Sequence, residues 1–162
     1  MNLLTKIIVV YDSLFGNTKR VAEAIGEGIN ENEKIEMVVN EIKNMEPREF
    51  LDYDVILIGS PNHMGGPTRV VKKLIDKLGK IGLAEKKGAV FDTYVKKNVG
   101  KAVRKMEKRI NEKVPGLNLI TTGLSVKVGG VRGPIEEGEL PKCIEFGNKI
   151  AKKILIDDVE RS

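Results

Sequence analysis

The 162-residue chain carries 28 Lys and Arg against 23 Asp and Glu, a formal charge of +5, with one Cys and one His. One cysteine excludes an internal disulfide and a cysteine-rich metal site, and one histidine leaves too few soft ligands for zinc. No apolar run reaches the length of a membrane span and the N-terminal residues lack a signal-peptide layout, so we expect a cytoplasmic protein with no membrane partner. The length fits a single domain over residues 1–162 with room for a real core. Lysines are spread over every predicted helix, with acidic neighbours, which argues against nucleic acid as a partner. Gln and Trp are absent while Lys, Glu and Ile are plentiful, the bias of proteins from hot environments.

Strand and helix signals alternate along the chain. An apolar strand over 4–11 leads through a short polar loop into a helix over 17–29, with Val21, Ala22, Ile25 and Ile29 on one face. A second strand, 34–39, alternates Ile35, Met37 and Val39. A short helix over 45–51 takes Pro47 in its first turn. The run Val55, Ile56, Leu57, Ile58 is apolar on both faces, as a central strand of a covered sheet must be. After a loop over 59–68, a helix buries Val70, Val71, Leu74, Ile75 and Leu78. A fourth strand, 88–91, precedes a loop over 92–98 and a helix with Val99, Val103, Met106 and Ile110 inward. Residues 117–128 form a fifth strand with an extension, joined at Gly123. The glycine-rich 128–134 segment connects irregularly into a last helix, from about Leu140, whose apolar stripe includes Cys143. These signals predict an α/β fold: a doubly wound, five-stranded parallel sheet in the order 2-1-3-4-5, with helices on both faces.

Ligands in such a sheet bind outside the carboxyl ends of the strands, where three loops converge. The first, Ser13, Leu14, Phe15, Gly16, Asn17 and Thr18, joins a strand to a helix N-terminus. Hydroxyl and amide donors, a glycine and the helix dipole together make a cradle for a phosphate without a cation in the loop. An ordinary strand-to-helix turn capped by Asn17 or Thr18 is the plain alternative. The second loop contains Pro61, Asn62, His63, Met64 and Gly65, and the third Asp92, Thr93 and Tyr94.

The first loop resembles the signature of the flavodoxins, [ST]-x-x-G-x-T, with Ser13, Gly16 and Thr18 in register and Val9, Val10 and Tyr11 before them. Tyr53-Asp54 ahead of the third strand and Gly59-Ser60-Pro61 at its end are also similar to that family. The resemblance implies FMN as cofactor, its phosphate in the first loop and its ring between the second and third. It implies that His63, Met64 or Tyr94 covers a ring face, in place of the Trp or Tyr that many flavodoxins put in the second loop. It also implies that the peptide at Met64-Gly65 flips as the flavin is reduced. Asp92 and Thr93 either meet the ring edge or cap the next helix. The function implied is low-molecular-weight electron transfer between redox proteins, as a monomer or small homo-oligomer. A basic surface would suit acidic, ferredoxin-like partners. The alternatives are a flavodoxin-like NAD(P)H-dependent oxidoreductase and a flavin-free scaffold on the same fold.

Overall fold

The computed structural model describes residues 4–161. Strands β1 (Thr5–Tyr11), β2 (Ile35–Glu41), β3 (Val55–Pro61), β4 (Lys86–Val95) and β5 (Leu117–Leu119) pair in parallel in the order β2-β1-β3-β4-β5. A sixth, β6 (Leu124–Val128), also pairs in parallel with β4, beyond the end of β5. Gly88 of β4 faces Leu119, whereas Phe91 faces Leu124. The fifth strand and its extension therefore share one edge, and the chain takes five steps from Leu119 to Leu124 where β4 takes three from Gly88 to Phe91, so the register shifts by two residues between the halves. Helices α1 (Asn17–Ile29), α2 (Arg69–Ile81), α3 (Lys101–Lys113) and α4 (Glu139–Arg161) cover the sheet, and two short 3-10 turns precede β3. No helix among the described residues is long and apolar enough to cross a membrane.

Strand alternation divides the core in two. Ile7, Val9, Leu57, Ala89 and Phe91 pack with α1 and α4, whereas Ile8, Val10, Ile56, Ile58 and Val90 pack with α2 and α3. Val70 and Val99, placed inward by periodicity, are 40% and 52% exposed. Val70 sits one residue off the buried stripe of α2, and Val99 precedes α3 rather than lying on it.

Helices α1 and α4 touch backbone to backbone. A Cβ on Gly28 would lie 1.9 Å from the Ile144 carbonyl oxygen, and one on Gly147 would lie 2.0 Å from that of Ile25. Two glycines facing each other across this crossing set the helix separation, so neither helix can retreat without uncovering Ile25, Cys143 and Ala151. Cys143 is fully buried here, and burial pushes its thiol up to about 12, which leaves it an apolar packing group.

Strand β4 runs four residues past the expected end and takes Asp92, Thr93 and Tyr94 into the sheet rather than leaving them in a loop. The extension is paired on both sides, Asp92 with Ser60 of β3 and with Ser125 of β6. The buried Asp92 carboxylate accepts from the Val103 amide at 3.0 Å and from the Ser125 hydroxyl. The same serine oxygen accepts from the Gly100 amide. Of the two roles open to Asp92, the structure gives it the helix one, binding the first turn of α3 to β4 and β6. Burial raises its carboxyl from the ordinary 3.8 to about 6, against the Ser125 and backbone hydrogen bonds that favour the anion.

Two outcomes follow for stability. Gly147→Ala forces α4 off α1 and costs about 1–3 kcal/mol in urea unfolding. Between its ordinary 3.8 and about 6, native Asp92 holds a proton that the unfolded chain has released, so stability falls as pH rises through that window and is level above it. Relative to Asp92→Asn, the parent protein should gain about 2 kcal/mol on going from about pH 7 to about pH 4, measured by urea unfolding at both.

Candidate functional site

The carboxyl ends of β1, β3 and β4 open on a cleft of about 200 Å³. Its walls come from the loop after β1 (Ser13, Leu14, Phe15, Asn17, Thr18) and from the loop that closes β3 (Pro61, Asn62, His63, Met64). Thr93 and Val95 of β4 form the floor, with Val128 and Val131 on the far side. Among the described residues, no Asp, Glu, Lys or Arg lines it.

Helix α1 begins with its donors unspent. Gly16 takes a left-handed conformation, φ +94°, that turns the chain into the helix, and no side chain caps it. The first turn holds no acidic residue that would occupy or repel an anion. The Ser13 hydroxyl oxygen accepts from the Gly16 amide at 3.0 Å and the Lys19 amide at 3.4 Å, leaving its proton free to donate. Among the described residues, the amides of Leu14, Phe15, Asn17 and Thr18 have no hydrogen-bond partner. Thr18 is buried, and its hydroxyl lies 3.0 Å from that of Thr93 on β4. The loop is thus a concave row of uncharged donors at the positive end of a helix dipole, the geometry of an anion nest.

The loop is held from below. Asp12, at the end of β1, accepts from the Thr68 hydroxyl at 2.7 Å, and Thr68 caps α2 through the Val71 amide. The fully buried Ser60 accepts from the Thr68 amide and donates to the Pro61 carbonyl. Three short polar side chains therefore lock the β1 and β3 loops to each other and to α2. The sequence marked Ser60 only as part of the Gly59-Ser60-Pro61 likeness and gave none of the three this role, because each acts through a side chain or amide of another segment.

Beyond Pro61 the chain makes a two-residue hairpin turn. The His63 amide donates to the Gly66 carbonyl at 2.7 Å and the Gly66 amide returns to His63 at 3.2 Å. Met64 (φ +52°) and Gly65 (φ +79°) are both left-handed, as a type I′ turn requires. Met64 accepts this unfavourable conformation at the tip with its side chain 93% exposed. Asn62 anchors the turn, its amide donating to the Thr93 carbonyl and its Nδ2 to the Asn98 carbonyl. Asn62 stands on the cleft wall, and its Oδ1 is buried without a hydrogen-bond partner among the described residues.

Strand alternation sorts the third group. Thr93 and Val95 face the cleft, whereas Asp92 and the half-buried Tyr94 lie on the α3 side and do not line it. Gly16 and Gly65 shape their turns without contributing wall. Within residues 129–134, which the sequence read only as a connection, Val131 supplies wall. The Arg132 guanidinium lies 5.3 Å from the Phe15 ring centroid, and Gly133 is so close to Asn17 that a Cβ would sit 2.6 Å from its Oδ1. The exposed apolar side chains Leu14, Phe15, Met64 and Val131 rim the opening.

A larger cavity of about 520 Å³ lies at the opposite end of the sheet, among Lys6, Asp54, Glu85, Lys86, Lys87 and Asp158. Two of its lysines are engaged internally: Lys86 donates to the Leu51 and Tyr53 carbonyls and Lys87 pairs with Asp157. It offers no open helix start, and we place the functional site at the carboxyl ends.

A flavodoxin-domain family model matches residues 8–127. A flavodoxin of Clostridium saccharobutylicum is 26% identical over 155 residues, covering 92% of this chain and 97% of that protein. The type A flavoprotein fprA of Rhodobacter capsulatus is 30% identical over 151 residues, 90% of this chain but 32% of that protein's length. The crystal structure of oxidised flavodoxin 2 from Bacillus cereus superposes with a TM-score of 0.77 at 30% identity, covering 92% of this chain and 99% of that one. Sheet order, a donor-lined first loop at the switch point and these similarities agree: the chain belongs to the flavodoxin domain family, whose members use a flavin in electron transfer.

Proposed function

We propose that the protein binds FMN in the 200 Å³ cleft and relays electrons between other redox proteins. The observation that carries this is the uncapped, uncharged donor row at the start of α1, opening onto an apolar-rimmed cleft with one unsatisfied acceptor. The residues suit each part of such a ligand. Ser13, Thr18 and the free amides of Leu14, Phe15, Asn17 and Thr18 match a phosphomonoester. Asn62 Oδ1 offers an acceptor to a ring N–H. Leu14, Phe15, Met64 and Val131 supply apolar surface for a planar heterocycle. Bound flavin would supply the redox chemistry, and the chain supplies position and electrostatics.

The chain's own work is then to hold and to exclude. The Ser13 hydroxyl keeps its donor free because its oxygen is already satisfied by two amides. The Thr18–Thr93 contact fixes the floor under the ligand. Left-handed Met64 and Gly65 allow the peptide between them to reorient by a local change of backbone angles, without disturbing β3.

Loss of a hydrogen bond to a charged group costs about 1.5–3 kcal/mol, so Ser13→Ala should weaken FMN binding by about 10- to 100-fold in a fluorescence-quenching titration. Riboflavin, which lacks the phosphate, should bind more weakly than FMN and be indifferent to that substitution. Equal affinities for the two flavins would overturn the phosphate assignment.

A further inference from the structure

The chain's net charge of +5 hides a strong asymmetry. Helices α2 and α3 hold eleven of the 28 Lys and Arg but three of the 23 Asp and Glu, a net of +8 that leaves −3 for all other residues. Helices α1 and α4, on the other face of the sheet, carry seven of each sign. The excess is concentrated where the two basic helices meet the cleft. Farther along, Asp76 pairs with Arg109 and Lys113, and Glu112 lies near Lys108. At the near end Lys72, Lys101, Arg104 and Lys105 are exposed, and among the described residues none of them forms an ion pair.

These cations adjoin the turn that walls the cleft. A recess is lined by Gly65, Lys101, Arg104 and Lys105, and a second joins Lys105 to Lys72 and Pro67. A Cβ on Gly66 would lie 3.1 Å from Lys105 Cδ, so the Lys105 side chain runs along the 63–66 turn. The charges also stand where helices disfavour them. Arg69 begins α2 and Lys101 begins α3, and neither first turn contains an acidic residue. Their positions do not serve helix stability.

We infer that the α2–α3 face beside the 63–66 turn is the docking surface for an acidic redox protein, which exchanges electrons with a flavin in the adjoining cleft. This rests on the FMN reading above. All four cations are exposed and no buried side chain converges on the recess, so the surface fits a broad acidic patch rather than a small anion. Neither helix carries an aromatic residue on which a nucleic-acid base would stack, which favours a protein over a single-stranded nucleic acid. Opposed charge at this place raises the encounter rate and turns the partner toward the cleft.

The probe is a plant-type [2Fe–2S] ferredoxin, a small acidic one-electron donor. Its oxidised form is titrated against the protein with and without FMN. Its reduced form is mixed with the FMN-loaded protein by stopped flow, each encounter oxidising one cluster by one electron and reducing the flavin by one. Lys101→Glu/Lys105→Glu is compared with Lys149→Glu/Lys152→Glu on α4. We expect the α3 pair to slow the second-order rate and weaken the ferredoxin affinity about tenfold or more at low salt, and the α4 pair to change each less than about twofold. The parent rate should fall toward that of the α3 pair as salt rises from about 20 mM to about 300 mM. Reduction by dithionite should be the same in all three proteins, and the α3 pair should melt no lower than the parent because the new carboxylates meet a helix start.

Equal effects of the two pairs overturn the docking surface while leaving the FMN reading intact. Selective loss of ferredoxin affinity in a protein that takes up no FMN overturns that reading and with it the electron exchange, while leaving the surface in place. Duplex DNA that displaces ferredoxin from this face at about 150 mM salt overturns the choice of partner.

Discussion

The architecture depends on a helix start that is left without its caps. Among the described residues, four amides at the head of α1 have no partner, and the donors of a helix start need a side chain, water or a ligand to meet them. Most helices settle this debt with a side chain, as α2 does through Thr68. Here Gly16 turns the chain into the helix, and the one hydroxyl in reach, Ser13, satisfies two other amides. Much of the nearby structure keeps that start in position. The α1–α4 crossing fixes the helix from one side through Gly28 and Gly147. Asp12, Ser60 and Thr68 fix the strand end from the other.

The distribution of charge separates binding from encounter. Among the described residues the cleft has no carboxylate, lysine or arginine on its walls, and what it presents is a helix dipole, hydroxyls and apolar surface. Cations lie outside, on the helices that flank one lip. A surface charge acts over about a Debye length, whereas a neutral hydrogen bond acts only at contact. The arrangement keeps long-range attraction on the outer surface and leaves the cleft walls uncharged.

Much of this was legible in the chain. The start of α1 follows from Gly16 and the residues around it, and its end from the last apolar residue of the stripe; both match the expected 17–29. The sheet order followed from alternating patterns with doubly apolar central strands. What escaped the sequence depends on contacts between distant segments. Asp92 looks like a loop residue because an isolated carboxylate in a strand is unfavourable. Ser125 and the first turn of α3 supply what makes it tolerable. With Asp92 inside the sheet, alternation sends Tyr94 to the α3 side, and a one-residue difference in phase decides whether an aromatic reaches the cleft. The 129–134 segment is joined to the first loop by Arg132 over Phe15 and Gly133 against Asn17, pairs that no local pattern announces.

The claim on which all of this turns is that uncharged donors at the head of α1 hold a phosphate. Phosphorus-31 NMR of FMN during titration with the protein tests it without reference to colour or redox activity. A single bound resonance, saturating at one equivalent and unmoved across about pH 6 to 8, is the predicted result, since a phosphate enclosed by donors stays dianionic where the free ester takes up a proton near pH 6. A phosphorus signal that keeps titrating like free FMN while the ring binds would contradict the account, because the cleft would then be holding the heterocycle without its anchor.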